Sequence, residues 1–470
     1  MSATPLTVKD AAAALRAGEV TSVALTQAAI DRAERLDKEL GTYIVRGDDA
    51  ALAAAAAADA KFAAGVDDGP LQGIPVGVKD IVATADAPTT CQSLVMDPEW
   101  CAGEDAPVVA RLRAAGAVIT GKTTTMEFAI GTPDFSKPFP IPRNPWNTEC
   151  WAGGSSSGTG NGVAAGLFFA GIGTDTGGSI RIPSAFCGVT GLMPTYGRVP
   201  KSGVFPLGYS LDHTGPLARG AWDCAAMLDV LAGYDATDPY CSQRPVDDYV
   251  GALTGSVDGL RIGVVRAFHF APDDDPSVVA AFDAAVAQLG DLGARVTEIV
   301  LPYYLEITAA MLVTMCAEAF AIHRRDMASR WDDYFENTRQ IVALGALFSG
   351  SDYVQAQRVR RVAQRALAGL FSDVDVILTP TATVGSPTYA AMEASGPLGL
   401  LAKVHTGYWD AVGNPVLALP IGFTSEGLPL SMQLAGRPFD EATILRAGDA
   451  YQSATDWHVR IPPMAQEVQA

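Results

Sequence analysis

Apolar positions recur about every three to four residues from residue 7 to residue 65. The run TVKDAAAALRAGEVTSVALTQAAIDRAERLD has the spacing of amphipathic helices, with Thr7 and Thr21 placed as N-caps. The alanine-rich run ALAAAAAADAKFAAG predicts a further helix that stops at Gly65. Then the texture changes. GIPVGVKDIV, residues 73–82, is a short apolar run broken by Gly and Pro, and predicts a buried strand. PVVARLRAAGAVITGKTTT reads as helix, turn at Gly116, strand and loop. GNGVAAGLFFAGIGTDTGG reads as helix, strand and glycine loop.

The alternation returns over 259–300, where GLRIGVV and ARVTEIVLP are strands around the helix DPSVVAAFDAAVAQLGDLG. Residues 303–372 are mainly helical in pattern, and VDVILTPTA (374–382) and NPVLALPIGF (414–423) are strand-like. Strands alternating with helices imply an α/β fold: a large mixed, mostly parallel central sheet covered by helices on both faces. No low-complexity linker or internal repeat divides the chain. The expected organisation is one domain over 1–470. It has a helical N-terminal cover (1–65), a core carrying the candidate chemistry (70–235), a variable, mainly helical substrate region (240–370), and C-terminal strands and helix (374–470).

Composition narrows the class. The chain of 470 residues is 49% hydrophobic and 18% charged, which fits a soluble protein with a sizeable core. A net charge of −19 argues against a nucleic-acid partner, because phosphate binding needs clustered Lys and Arg. Seven scattered cysteines without a C-x-x-C pair fit reduced thiols in a cytoplasmic protein. The opening MSATPLTVKDAAAALRAGEV does not read as a signal peptide. No window reaches about 18 uncharged apolar residues, the length of a membrane span. The nearest, Thr308 to Ile322, contains Glu318.

Two motif matches fail on context. Gly116-x-x-x-x-Gly121-Lys122-Thr123 fits the P-loop pattern, but its spacer is strand-forming and a helix precedes it, the reverse of a phosphate-binding loop. Gly154-Ser155-Ser156-Ser157-Gly158 fits G-x-S-x-G, but the upstream NPWNTECWAG reads as a polar loop rather than the buried strand a nucleophile elbow needs. No H-E-x-x-H and no dense His, Cys and carboxylate cluster occurs, so neither a metal nor another cofactor is expected. In DTGGSIR, Gly177 and Gly178 directly precede Ser179. Such a loop can aim backbone N–H groups and a hydroxyl at one ligand.

Three segments in order carry a resemblance: GIPVGVKD with Lys79, GGSSSG with Ser155, and GTDTGGSIRIPSAFCG with Ser179. Together with GKTTTMEFA, NPWN, PTYGRVP, SLDHTGPLAR and the C-terminal GNPVLALPIGF and GLPLSMQLAGRPFDEATIL, they resemble the amidase signature family of Ser-cis-Ser-Lys hydrolases. The resemblance implies that family's fold and the hydrolysis of a C–N bond in a small amide, aryl amides and carbamates included, through an acyl-enzyme. It implies Ser179 as nucleophile, Ser155 as bridging serine after a cis Gly154–Ser155 bond, and Lys79 as base. It also implies an oxyanion hole from the N–H groups of Thr176, Gly177, Gly178 and Ser179, which with Ala129 as a pocket-wall residue form the expected substrate contacts. Asp175 and Arg181 are expected to brace the loop. Cys187 and Cys316 are expected in the core, with Cys316 also a candidate for the acyl pocket.

The chain departs from the family pattern at several positions. Ser157 replaces the commoner glycine, Met193 stands where Lys is usual, and Tyr408, Trp409 and Asp410 replace a Thr-x-Pro-x-Asn run. The expected partner is a small-molecule amide, with no nucleic acid and no membrane; a homodimer is an open assembly. Two other readings compete with a hydrolase acting alone: the glutamine-hydrolysing subunit of a tRNA-dependent amidotransferase, and a non-enzymatic binding protein on the same scaffold. The amidotransferase branch carries an acid where this chain has Lys403.

Overall fold

The computed structural model describes residues 7–272 and 274–466. Residues 1–6, where the reading of the N-terminus and the 1–65 range begin, lie outside the described residues, as do residue 273 and residues 467–470 at the end of the 374–470 range.

The N-terminal helices Val8–Arg16 and Ser22–Leu40 start where hydroxyl caps stop the chain from fraying. Thr7 Oγ1 accepts from the Asp10 N–H at 3.0 Å and Thr21 Oγ1 from the Ala24 N–H at 3.1 Å. Each cap satisfies a donor that has no intrahelical partner. The alanine-rich helix Asp48–Ala63 ends two residues before Gly65, which takes a positive φ.

Eleven strands form one sheet. Across it they run Tyr43–Arg46, Val118–Thr123, Pro75–Lys79, Ala170–Asp175, His213–Ala218, Thr190–Met193, Val416–Phe423, Pro429–Ala435, Val376–Pro380, Arg261–Val265 and Arg295–Ile299. The sheet is mixed, as the α/β pattern implies. Parallel ladders join Val118–Thr123, Pro75–Lys79 and Ala170–Asp175 on one side. A second parallel set joins Val376–Pro380, Arg261–Val265 and Arg295–Ile299 on the other. Antiparallel pairing fills the centre.

The Pro75–Lys79 and Ala170–Asp175 strands are buried along their whole length and run in the same direction. Lys79 and Asp175 therefore stand at the carboxyl ends of neighbouring parallel strands, the edge where α/β sheets place their ligands.

The rejected motifs are explained by position. Gly121 and Lys122 lie inside a strand, and Lys122 is buried in an ion pair with Asp80 at 3.2 Å. Ser156 turns its hydroxyl into the protein, onto the Thr174 carbonyl at 3.2 Å. One expectation is corrected here: Asn147–Trp151, read as a polar loop, is a strand paired with Arg143–Asn144 in a separate hairpin.

The helix Tyr304–Arg330 is, by length and composition, apolar enough to cross a membrane. In this fold it packs along the helices Gly350–Leu370 and Glu336–Leu344. Its buried Glu318 accepts from Ser210 N–H at 3.0 Å and from Tyr353 Oη–H at 2.7 Å.

The helix Ser157–Ala165 contains three glycines, yet every residue in it is buried. A Cβ at Gly158 would lie 2.2 Å from the Thr42 carbonyl oxygen and 2.6 Å from the Thr124 backbone nitrogen. Close backbone approach, not flexibility, selects glycine there. Gly158→Ala should gain about 1 kcal/mol in helix propensity but lose about 3 kcal/mol to overpacking against fixed backbone. Denaturant unfolding should show a net loss; a raised midpoint would refute the packing argument.

Candidate active site

Lys79 is fully buried at its strand end. Its Nζ donates to Ser155 Oγ and to Thr174 Oγ1, both at 2.7 Å. Burial lowers its pKa from 10.5 to about 7, against the raising pull of Asp175, Asp212 and Cys91. Lys79 has hydroxyls, not a carboxylate, as direct partners. Lys122 on the adjacent strand is paired with Asp80 instead.

Ser155 follows a cis Gly154–Ser155 bond, as the resemblance implies. Its segment is tied to that of Ser179 through Ser156 N–H, which donates to the Ser179 carbonyl at 3.1 Å. Ser155 and Ser179 line one cleft of about 1340 Å³. Lys79 sits behind Ser155.

Ser179 lies between the strand Ala170–Asp175 and the helix Arg181–Cys187. Its loop is wound around the Asp175 carboxylate, which accepts from the N–H groups of Gly178 and of Ile180, the latter at 3.1 Å. Arg181 grips the same carboxylate through Nε at 2.9 Å and Nη2 at 3.1 Å. Asp175 and Arg181 thus brace the loop, as expected.

The expected substrate contacts divide. Ala129, with φ +65°, and Gly177 line the cleft. Thr176 and Gly178 do not. The Thr176 hydroxyl donates to Asp212 at 2.6 Å, and the Gly178 N–H is occupied by Asp175. Among the described residues, no protein acceptor takes the N–H groups of Thr176, Gly177 and Ser179, and of these three residues Gly177 and Ser179 line the cleft. Gly178 has φ +126°, and a Cβ there would meet Thr406 Oγ1 at 2.2 Å. Cys316 is fully buried and stays out of the cleft, and Cys187 packs in the core.

The sequence reading missed most of the cleft wall. Phe268, Tyr304, Met311, Met315, His405 and Tyr408 form much of one side. Phe268 stacks on Tyr304 at 6.0 Å, and Tyr304 on Tyr408 at 5.9 Å. Tyr304 Oη lies 2.9 Å from His405 Nδ1. Thr406 donates to the Gly177 carbonyl at 2.5 Å and couples this wall to the Ser179 loop. Thr174 was also missed; its place in the GTDTGGS run was the signal that could have found it. Charged side chains on the described lining are Asp134, Glu336 and Glu393; none is Lys or Arg.

The fold and this site define an enzyme of the amide-hydrolysing class. The family model for Amidase matches residues 24–445, and the chain belongs to that family. It is a C–N hydrolase of the amidase signature type. It is 43% identical over 487 residues to a glutamyl-tRNA(Gln) amidotransferase subunit of Roseiflexus sp. (strain RS-1), covering 98% of this chain and 99% of that protein. A solved structure described as an unexpected vestigial protein complex, revealing the evolutionary origins of an s-triazine catabolic enzyme, superposes with a TM-score of 0.88. That structure shares 32% identity, with 95% of this chain and 98% of the other covered. The native peptide amidase of Stenotrophomonas maltophilia superposes with a TM-score of 0.83 at 29% identity, covering 97% and 98%.

The lowered lysine pKa has a stability consequence. Folded Lys79 sheds its proton near pH 7, whereas the unfolded lysine keeps it to about 10.5. Between those values the unfolded chain holds more protons, so stability rises with pH. The thermal midpoint of the native chain should gain on that of Lys79→Met as pH is raised from 7 to 10. Parallel curves would show that Lys79 titrates normally.

Proposed function

We propose that the chain hydrolyses amides with an apolar or aromatic body and no anionic group, aryl amides and carbamates among them, through an acyl-enzyme on Ser179. The observation that carries this reading is the cleft: Ser179 and Ser155 open into apolar and aromatic walls without a cation, and a desolvated lysine stands behind Ser155. The roles follow from the chemistry. Neutral Lys79 has two hydrogens and one lone pair. It donates to Thr174 and accepts from the Ser155 hydroxyl, whose oxygen then takes the Ser179 proton. Ser179 Oγ bonds to the amide carbon while its proton passes through Ser155 to Lys79. The N–H groups of Gly177 and Ser179 stabilise the oxyanion. The C–N bond breaks as the leaving nitrogen takes the proton back by the same relay. Water then cleaves the acyl ester and regenerates Ser179.

A second reading has its own support. The name of the Roseiflexus relative favours a glutamine-hydrolysing subunit that works with partner chains over a hydrolase acting alone. Cleft chemistry weighs the other way. The α-carboxylate of glutamine calls for a cation, and the described walls offer carboxylates. Lys403, between the lining residues Ala402 and Val404, is paired with Asp274 at 2.7 Å.

The purified chain alone should cleave anilides of aromatic or branched acids with kcat/KM about 100-fold or more above that for L-glutamine. Glutamine hydrolysis appearing only with partner chains, and no anilide cleavage, would establish the second reading instead. Ser179→Ala should lose up to about 10⁶-fold in kcat, and Ser155→Ala about 10²- to 10⁴-fold. A fluorophosphonate should label Ser179; a label on Ser155 or Ser156 would overturn the assignment.

A further inference from the structure

The Ser179 loop is held by a buried charge cluster containing two carboxyls and one guanidinium. Arg181 Nη2 donates to Asp410 Oδ2 at 2.6 Å and to Asp175 Oδ1 at 3.1 Å, and Nε donates to Asp175 Oδ2 at 2.9 Å. All three side chains have no exposure to solvent. The two carboxyls converge on one nitrogen, Arg181 Nη2, and so stand side by side. Yet Asp410 Oδ1 is buried with no donor directed at it. A carboxylate oxygen left so would forfeit its hydrogen bond and its hydration together. Oδ1 is satisfied if it carries hydrogen and donates to the neighbouring Asp175 carboxylate. Two carboxyls this close in a dry site cannot both ionise freely.

We infer that Asp410 and Asp175 share one proton behind Ser179, and that Asp410 is a positioning residue which holds Asp175 against the loop. The shared proton stands on the cluster alone; its effect on catalysis rests on the role proposed for Ser179. Burial and the neighbouring Asp175 carboxylate push the Asp410 pKa well up, in the same sense. The other charged or titratable groups facing the pair do not supply a second cation in contact. Arg360 directs its guanidinium to Ala411 O, Ser210 and Gln357. His213 lies with Nδ1 3.3 Å from the Asp175 carbonyl, and burial lowers its pKa to about 3. Lys79, whose pKa burial lowers to about 7, loses its charge as pH rises.

Rising pH removes the shared proton and sets two adjacent anions against Arg181. Asn at 410 would keep an oxygen for Arg181 and an N–H for Asp175 that it cannot lose. The native chain should therefore show an alkaline fall in kcat/KM, about tenfold per pH unit, that Asp410→Asn lacks. Stability carries the same sign. The folded carboxyl keeps its proton above the unfolded value of about 3.9. The native chain should therefore lose thermal stability relative to Asp410→Asn as pH rises through the folded pKa.

Infrared spectroscopy provides a readout independent of activity. The native spectrum at neutral pH should contain a protonated-carboxyl C=O band that Asp410→Asn removes. Should that variant not fold, Asp175→Asn must remove the same band, because Asp410 then ionises against Arg181. Absence of that band from the native-minus-variant difference, or parallel stability curves, would overturn the inference. If the Ser179 reading fails, only the kinetic arm falls silent, and the infrared and unfolding arms still decide.

Discussion

Arg181 is the side chain on which the rest of the site depends. It is fully buried, and each of its three nitrogens finds acceptors. Nε and Nη2 hold Asp175, Nη2 also holds Asp410, and Nη1 donates to Thr406 O at 2.9 Å and Gln433 Oε1 at 2.8 Å. Asp175 in turn fixes the backbone on both sides of Ser179. Gln433 belongs to a central strand and donates to the carbonyls of Pro380 and His405. One planar group thus fixes the serine loop to the sheet and to the far wall of the cleft. Lysine could not do this, because it lacks the rigid fork. Breaking such a buried pair costs about 3–5 kcal/mol, because the partner left behind stays charged and dry.

Two buried lysines show how environment separates roles. Lys79 and Lys122 stand on neighbouring strands, one register step apart in their pairing. Lys122 meets Asp80 at 3.2 Å and Thr89 at 2.8 Å, so its charge is offset locally by a carboxylate. Among the described residues Lys79 meets only hydroxyls at short range, and the anions that favour its charge act from further away. Desolvation then outweighs attraction. A lysine near neutrality beside a serine in a cleft is a group suited to moving protons.

The strands that build this edge were legible because they are short apolar runs between turn residues; Ser179 stood out through its glycine loop, and Lys79 and Ser155 through the family resemblance of their segments. Two of the central antiparallel strands were not legible as strands. His213–Ala218 carries Gly215 and Pro216, residues that argue against an interior strand, and Thr190–Met193 is only four residues long. Their pairing is imposed by neighbours, not by local propensity. The cleft wall was hidden for another reason. Apolar residues on the helix Tyr304–Arg330 have the same spacing whether they face a core or a cavity. Phe268, Tyr389 and His405 come from separate loops and helices that only the fold brings together. A loop sequence does not reveal that its own aspartate takes the Gly178 N–H or that Asp212 takes the Thr176 hydroxyl.

Apart from Ser157, the departures from the family pattern form one packed unit. Met193, where a lysine is usual, lies in the same buried cluster as Tyr408, Trp409, Ala411 and Val412. A cation at 193 would have to be desolvated among these aromatics, and a thioether fills that space without a charge. Tyr408 reaches outward from the cluster, donating to the Pro302 carbonyl at 3.1 Å and stacking on Tyr304 in the cleft wall. Asp410, two residues further along the same helix, faces Arg181. The short helix Gly407–Val412 therefore presents an aromatic face to the cleft, an apolar face to the core and a carboxyl to the brace of the serine loop. Substitutions that change what the cleft accepts are mechanically joined, through that helix, to the group that holds Ser179 in place.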